Sequence, residues 1–174
     1  PLINVHLVLP SELSKSSLCY EFHGLADTYF NLLSNNCTSI NAHYAAIPTH
    51  PTVNIIDEVA IRTTDLANQC VDISINLNCI VSVNRVPIEL HQVYLTNGLE
   101  VTRYSDQVRV SVPSCSGGQS LGVQMSCQSG TLFDPYDDER FTARTMRVGI
   151  RRSHFVEDGG HSHGLLGRLT WTVG

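Results

Sequence analysis

Three groups of residues have types and spacings that could do chemistry. The first is His154-Phe155-Val156-Glu157-Asp158-Gly159-Gly160-His161-Ser162-His163, near the end of the chain. In an extended stretch His161 and His163 project the same way, and Glu157 or Asp158 could complete a zinc-type site. Gly159-Gly160 makes the stretch a loop, however, and loop histidines are ordinarily solvated. The second is Asp134-Pro135-Tyr136-Asp137-Asp138-Glu139, in which Asp134, Asp137 and Asp138 could offer oxygen ligands to Ca2+. That run lacks the EF-hand order, and Asp-Pro is also a turn starter. The third is the set of six cysteines, Cys19, Cys37, Cys70, Cys79, Cys115 and Cys127. None forms a C-x-x-C, so zinc-ribbon and thioredoxin-type chemistry has no spacing to rest on. No G-x-S-x-G, G-x-G-x-x-G or Walker sequence occurs, and Ser116-Gly117-Gly118 reads as a turn between strands. The expectation is a protein that is not an enzyme and uses no cofactor apart from Ca2+ at the acidic run.

An even cysteine count without metal spacing reads as a disulfide framework. Asn36-Cys37-Thr38 is an N-glycosylation sequon, which agrees with it. Together they predict a secreted, extracellular glycoprotein. Six cysteines allow 15 pairings, and the sequence does not choose among them. The Cys70–Cys79 pair is discounted. If the run between them is one strand, its ends lie about 30 Å apart, far beyond disulfide reach.

Strands must carry all of these groups. Ile3, Val5, Leu7 and Leu9 alternate with Asn4, His6 and Val8 until Pro10-Ser11. Val53 to Ile61 is apolar-rich around Asp57-Glu58. The cleanest alternation runs from Val71 to Val83, with Val71, Ile73, Ile75, Leu77, Cys79, Val81 and Val83 on one face. Val108, Val110 and Val112 repeat the pattern, as do Leu121, Val123, Met125 and Cys127, and then Met146, Val148 and Ile150. Asn97-Gly98 is a two-residue hairpin signal between Val93-Tyr94-Leu95 and Leu99-Glu100-Val101. Thr64 to Gln69 can make a turn, and helical spacing is hard to find. Many short strands with turn residues between them predict an all-β sandwich or barrel.

The 174 residues suit a single domain, 1–174, without repeats or linkers. Eleven Lys+Arg against 16 Asp+Glu give a formal charge of −5. An acidic balance argues against nucleic acid and anionic membrane as partners, since both reward a basic face. No apolar run approaches the roughly 18 residues that a membrane-spanning helix needs. Lys15 is the only lysine, so nearly all positive charge is arginine.

His163-Gly164-Leu165-Leu166-Gly167, followed by a short β-prone tail through Trp171, resembles the end of inter-α-trypsin inhibitor heavy chain precursors. Those close with His-Gly-Leu-Leu-Gly in a module related to von Willebrand factor type D domains. Two further stretches are similar in order. Pro1-Leu2-Ile3-Asn4-Val5 leads to Leu18-Cys19-Tyr20-Glu21-Phe22, and Asn97-Gly98-Leu99 is followed by Val108-Arg109-Val110. The chain departs from the pattern at Leu2, where the family's cleavage motif has His, and in its number of cysteines.

The resemblance implies a von Willebrand type D-like fold in a processed piece of a larger precursor, with Pro1 as the terminus left by Asp-Pro cleavage. It implies an interaction or assembly module that holds its N-terminal sister chain or joins another extracellular complex, in a glycosaminoglycan context. The alternative carried beside it is an extracellular carrier of an apolar lipid or pigment in a body or egg fluid. A hydrolase using a metal at His161 and His163 is the third reading.

Overall fold

The computed structural model describes residues 9–10, 17–18, 25–114 and 120–152. The strands in chain order are β1 (Leu9–Pro10), β2 (Ser17–Leu18), β3 (Thr28–Ser34), β4 (Thr38–Ile47), β5 (His50–Thr64), β6 (Cys70–Asn76) and β7 (Val81–Val83). They continue with β8 (Val86–Pro87), β9 (Val93–Thr96), β10 (Leu99–Arg103), β11 (Gln107–Val112), β12 (Leu121–Asp134) and β13 (Glu139–Arg152). Apart from the small β1–β2 pair, they form two antiparallel sheets. One has six strands in the order β3-β4-β5-β6-β7-β8, and the other has five in the order β13-β12-β11-β10-β9. Each sheet is a meander of neighbours in sequence, so from β3 onward the chain passes between the sheets once, after β8.

The fold is the all-β sandwich that the alternation predicts. Val71, Ile73 and Ile75 of β6 point inward while Cys70 and Asp72 are exposed. In β11 the inward set is Val108, Val110 and Val112. Leu121, Val123, Met125 and Cys127 do the same in β12. These side chains from both sheets join one core with Leu32, Ile40, Val59, Ile61, Leu99 and Val148. Tyr44 is the largest side chain fully buried there, its ring meeting Phe30 edge-on. Burial pushes the Tyr44 hydroxyl pKa up to about 12.

The turns follow local chemistry. Asn97 and Gly98 both have positive φ, as a type I′ hairpin requires. Asn84-Arg85 makes the same kind of turn, with φ of 49° and 69°. Its signal is weaker because arginine seldom takes that conformation. The Asp65 carboxylate accepts the N–H groups of Ala67 and Gln69, which closes the Thr64–Gln69 turn.

One expectation needs correcting. The run Val71–Val83 is not one strand but a hairpin, with Ile73 opposite Val83 and Ile75 opposite Val81. Asn76 bends it: its side-chain oxygen accepts from Asn78 and Ile80 N–H, while its carbonyl accepts from Cys79 N–H. Cys79 takes φ 54° at the bend. The turn keeps odd-numbered residues facing inward on both sides, so the alternation runs on through it. Periodicity alone could not see the break.

Five contacts tie the margins of the sandwich together. The Cys79–Cys127 disulfide joins the β6–β7 turn to β12, with Cα atoms 5.8 Å apart. Arg144 of β13 donates from Nε to the Leu77 carbonyl beside it, at 3.0 Å. Asn97 Nδ2 donates to Asp65 Oδ2 at 3.0 Å, and Leu66 N–H donates to the Asn97 carbonyl. Thr52 Oγ1 of β5 donates to Asp134 at the end of β12, 2.9 Å away.

Candidate functional site

The outer face of the five-stranded sheet carries a trough of about 450 Å3. Its floor follows the outward residues of β12, Gly122, Gln124 and Ser126, with Gly149 of β13 beside Gln124. One wall is Arg109 with Ser111 on β11, and the other is Arg147 on β13. Glu100 of β10, opposite Ser111, adds a carboxylate at one corner. The two arginines stand on strands that flank the floor strand and lie diagonally across it, Arg109 in the row of Gln124 and Gly149 and Arg147 in the row of Ser126.

Small residues open the trough. A Cβ at Gly149 would have only the Gln124 carbonyl oxygen near it, at 3.9 Å, and no positive φ demands glycine there. Glycine inside a strand weakens it and leaves a site where another chain can approach closely. Neither Arg109 nor Arg147 has an ion-pair partner among the described residues. Arg109 lies over the Tyr104 ring, 5.3 Å from its centroid, which holds the guanidinium in place while leaving its charge available. Leu95 and Val93 of the edge strand β9 share this face and are largely exposed. Arginines beside exposed apolar side chains and an open floor form a surface suited to a polypeptide.

A second polar group lies on the outer face of the six-stranded sheet. Asp57 is the extra residue of a bulge in β5, where the register slips between His43 and Tyr44. The bulge turns its carboxylate to His43 Nδ1, 2.6 Å away. The exposed Tyr29 ring lies 4.5 Å from the imidazole. A His–Asp pair of this kind could serve a base. Among the described residues no hydroxyl or thiol nucleophile is bonded to His43, and the face beside it carries its own network: Asn31 donates to Asn41 and Ser39, and Ser74 donates to Glu58.

Of the metal candidates, Asp134, Asp137 and Asp138 sit at the β12–β13 turn. Asp134 is buried, and both of its oxygens accept from Thr52 while Oδ1 also accepts the Tyr136 N–H. Burial pushes its carboxyl up, but the donors from Tyr136, Thr52 and Asp137, with His50 nearby, outweigh that and hold its pKa below the usual range. Asp134 is therefore the cap that shapes the turn, the role that Asp-Pro as a turn starter predicts. Asp137 and Asp138 are exposed, and no three His, Cys, Asp or Glu side chains among the described residues come together around an ion. His161, His163, the His163–Gly167 motif and Pro1 lie outside the described residues.

No protein-family model matches the chain, and no curated protein matches it either.

The cysteines depart from full pairing. Cys79 is bonded to Cys127, and Cys37 is disulfide-bonded as well. Cys70 is instead a free, exposed thiol. The pleat explains it: Cys70 shares the outward face with Asp72, whereas Cys79 is turned into the core. Cys19 and Cys115 lie outside the described residues. Asn36 is exposed at the tip of the β3–β4 hairpin, while the Thr38 hydroxyl of the sequon is buried against Thr63 Oγ1.

Sequence reasoning missed Arg109, Arg147 and Gly149 as a site. Their signals were present: two arginines at outward positions of alternating strands, and glycines at 122 and 149 within strand patterns. What the pattern lacked was register, which alone places Arg109, Gln124 and Gly149 in one row.

Proposed function

We propose that this chain is a secreted, non-enzymatic interaction and assembly module that docks a partner polypeptide on the outer face of its five-stranded sheet. The observation that carries this reading is the trough between the unpaired Arg109 and Arg147, with a glycine at its floor that the backbone does not require. The Cys79–Cys127 disulfide agrees with an oxidising compartment. The resemblance to the C-terminal, von Willebrand type D-like part of inter-α-trypsin inhibitor heavy chain precursors supplies the expected partner class. That is a sister chain of the same precursor or another extracellular protein in a glycosaminoglycan context. The carrier reading has less behind it, because Leu32, Ile40, Tyr44, Ile73 and Met125 fill the space between the sheets.

The test is native purification from the source fluid, followed by rebinding of any co-eluting polypeptide to the wild type and to Gly149→Leu. Co-elution with a second polypeptide that binds the wild type and not Gly149→Leu supports the reading. A protein that elutes alone, with a stoichiometric apolar molecule in its organic extract, overturns it in favour of the carrier.

A further inference from the structure

The trough has a charge-complementary counterpart on the same chain. At the far end of the β12–β13 hairpin, the turn Pro135-Tyr136-Asp137-Asp138 projects between two 14-residue strands. Tyr136 is 84% exposed, more than any other large hydrophobic side chain described. Asp137, Asp138 and Glu139 are exposed around it, with Arg140 as the one cation at the tip. His50 lies 3.7 Å from Glu139 and stacks on Phe141, bracing the base of the turn. The buried Asp134 fixes the turn from below through Thr52 and the Tyr136 N–H. An acidic, braced turn with a free aromatic ring at its apex is built like a plug.

We propose that the occupant of the trough is this turn from a second copy of the protein. The inference rests on the docking-face reading above and names its partner. Tyr136 would lie on the open floor at Gly149 and Gln124, and the Asp137 and Asp138 carboxylates would take the guanidinium groups of Arg147 and Arg109. Arginine suits this because its planar fork binds a carboxylate through two parallel hydrogen bonds. Glu100 stands at the trough corner away from Arg147, where Arg140 of the incoming turn can meet it. Along β12, Gln124 and Asp134 are ten residues apart, about 33 Å at the usual strand rise. Trough and turn therefore lie at opposite ends of one hairpin, and each copy can give and receive at once.

One turn in one trough is a small contact, and interfaces of that size are weak and transient. The net charge of −5 repels copies at long range, so the association depends on the local match. Sedimentation velocity on the full chain, over about 10 to 500 μM, reads a contact of this strength. The expected result is a sedimentation coefficient that rises with concentration and reverts toward the monomer value in about 0.5 M NaCl, where exposed ion pairs are screened. Arg109→Glu/Arg147→Glu and Asp137→Arg/Asp138→Arg should each weaken self-association by about tenfold or more. Mixed together, the two variants should associate again, because the intact turn of one meets the intact trough of the other, and the reversed turn and reversed trough are themselves opposite in charge.

A monomer at every concentration overturns the proposal, as does a mixture of the two variants that fails to pair. If the chain is monomeric but a co-purified partner is still blocked by Gly149→Leu, self-association falls and the docking face stands. If self-association occurs and Gly149→Leu leaves it unchanged, the docking face itself falls. Arg109, Arg147, Asp137 and Asp138 are exposed, and far-UV circular dichroism confirms that each variant, Gly149→Leu included, is folded.

Discussion

Replacing Gly149 by alanine should make the protein more stable while leaving less room in the trough. Glycine in a strand interior costs roughly 0.5–1 kcal/mol relative to alanine, through backbone entropy lost on folding. That gain appears only where the backbone accepts a side chain without strain, and here it does. No positive φ occurs at Gly149, and the added Cβ would sit 3.9 Å from the Gln124 carbonyl, ordinary van der Waals contact. Gly98 is the opposite case: its φ of 81° and a Cβ 2.7 Å from Leu66 Cδ1 make the same change destabilising there. For a chain of this length about 1 kcal/mol moves Tm by some 2–4 °C. Gly149→Ala should therefore raise Tm by about 1–4 °C and raise the urea midpoint with an unchanged m-value. A fall in the midpoint at constant m would refute the reasoning. It would show that the glycine serves the strand itself, and the trough would lose its reason for existing.

Other outcomes follow from the margins of the sandwich. The Cys79–Cys127 bond closes a loop with a sequence separation of 48. The chain-entropy model then gives about 4 kcal/mol, so Cys79→Ala/Cys127→Ala should lower Tm by roughly 8–16 °C; a shift below about 2 °C would contradict it. Cys70 should be alkylated by iodoacetamide in the folded protein while Cys79 and Cys127 stay protected, as peptide mass spectrometry would read. Asp65 and Asp134 both have lowered carboxyl pKa values, Asp65 chiefly through the Asn97 amide. Their contribution is present above the unfolded carboxylate value of about 3.9 and is lost as pH falls through the folded values. The urea midpoint should therefore drop below about pH 4, and drop less in Asp65→Asn/Asp134→Asn; an equal acid loss in that variant would exclude these two groups as its source.

Much of the fold was legible because alternation is a local property. Inward-facing valines and isoleucines in β6, β11, β12 and β13 could be marked from residue order alone, and Asn97-Gly98 announced its hairpin. The hairpin at Asn76–Ile80 escaped because an odd loop of three residues, Leu77 to Cys79, keeps the parity of the flanking strands. The site was less legible for a different reason. Arg109 and Arg147 are 38 positions apart in the sequence, and only the registers of β11 with β12 and β12 with β13 bring them to one trough. The burial of Asp134 could not be read locally: an acidic residue before proline reads as a surface turn group, yet Thr52, more than 80 positions earlier, covers it. Cys70 was hidden by arithmetic, since an even count suggests full pairing while the pleat decides which thiols can meet.

The trough and the staples are linked energetically. Glycines at 122 and 149 weaken the two strands that form its floor, and neither Arg109 nor Arg147 adds an ion pair across the sheet among the described residues. A sheet with such a face needs its ends held by other means. The structure supplies them on the opposite side of the same strands, where Cys127 is bonded to Cys79 and Arg144 holds the Leu77 carbonyl. The disulfide alone, at about 4 kcal/mol, outweighs the roughly 1–2 kcal/mol that two strand glycines cost. The inner face of β12 thus carries a covalent constraint while its outer face stays open. On this reasoning Gly149→Ala should recover a measurable part of the stability lost in Cys79→Ala/Cys127→Ala, because one change restores backbone order to a strand that the other has released.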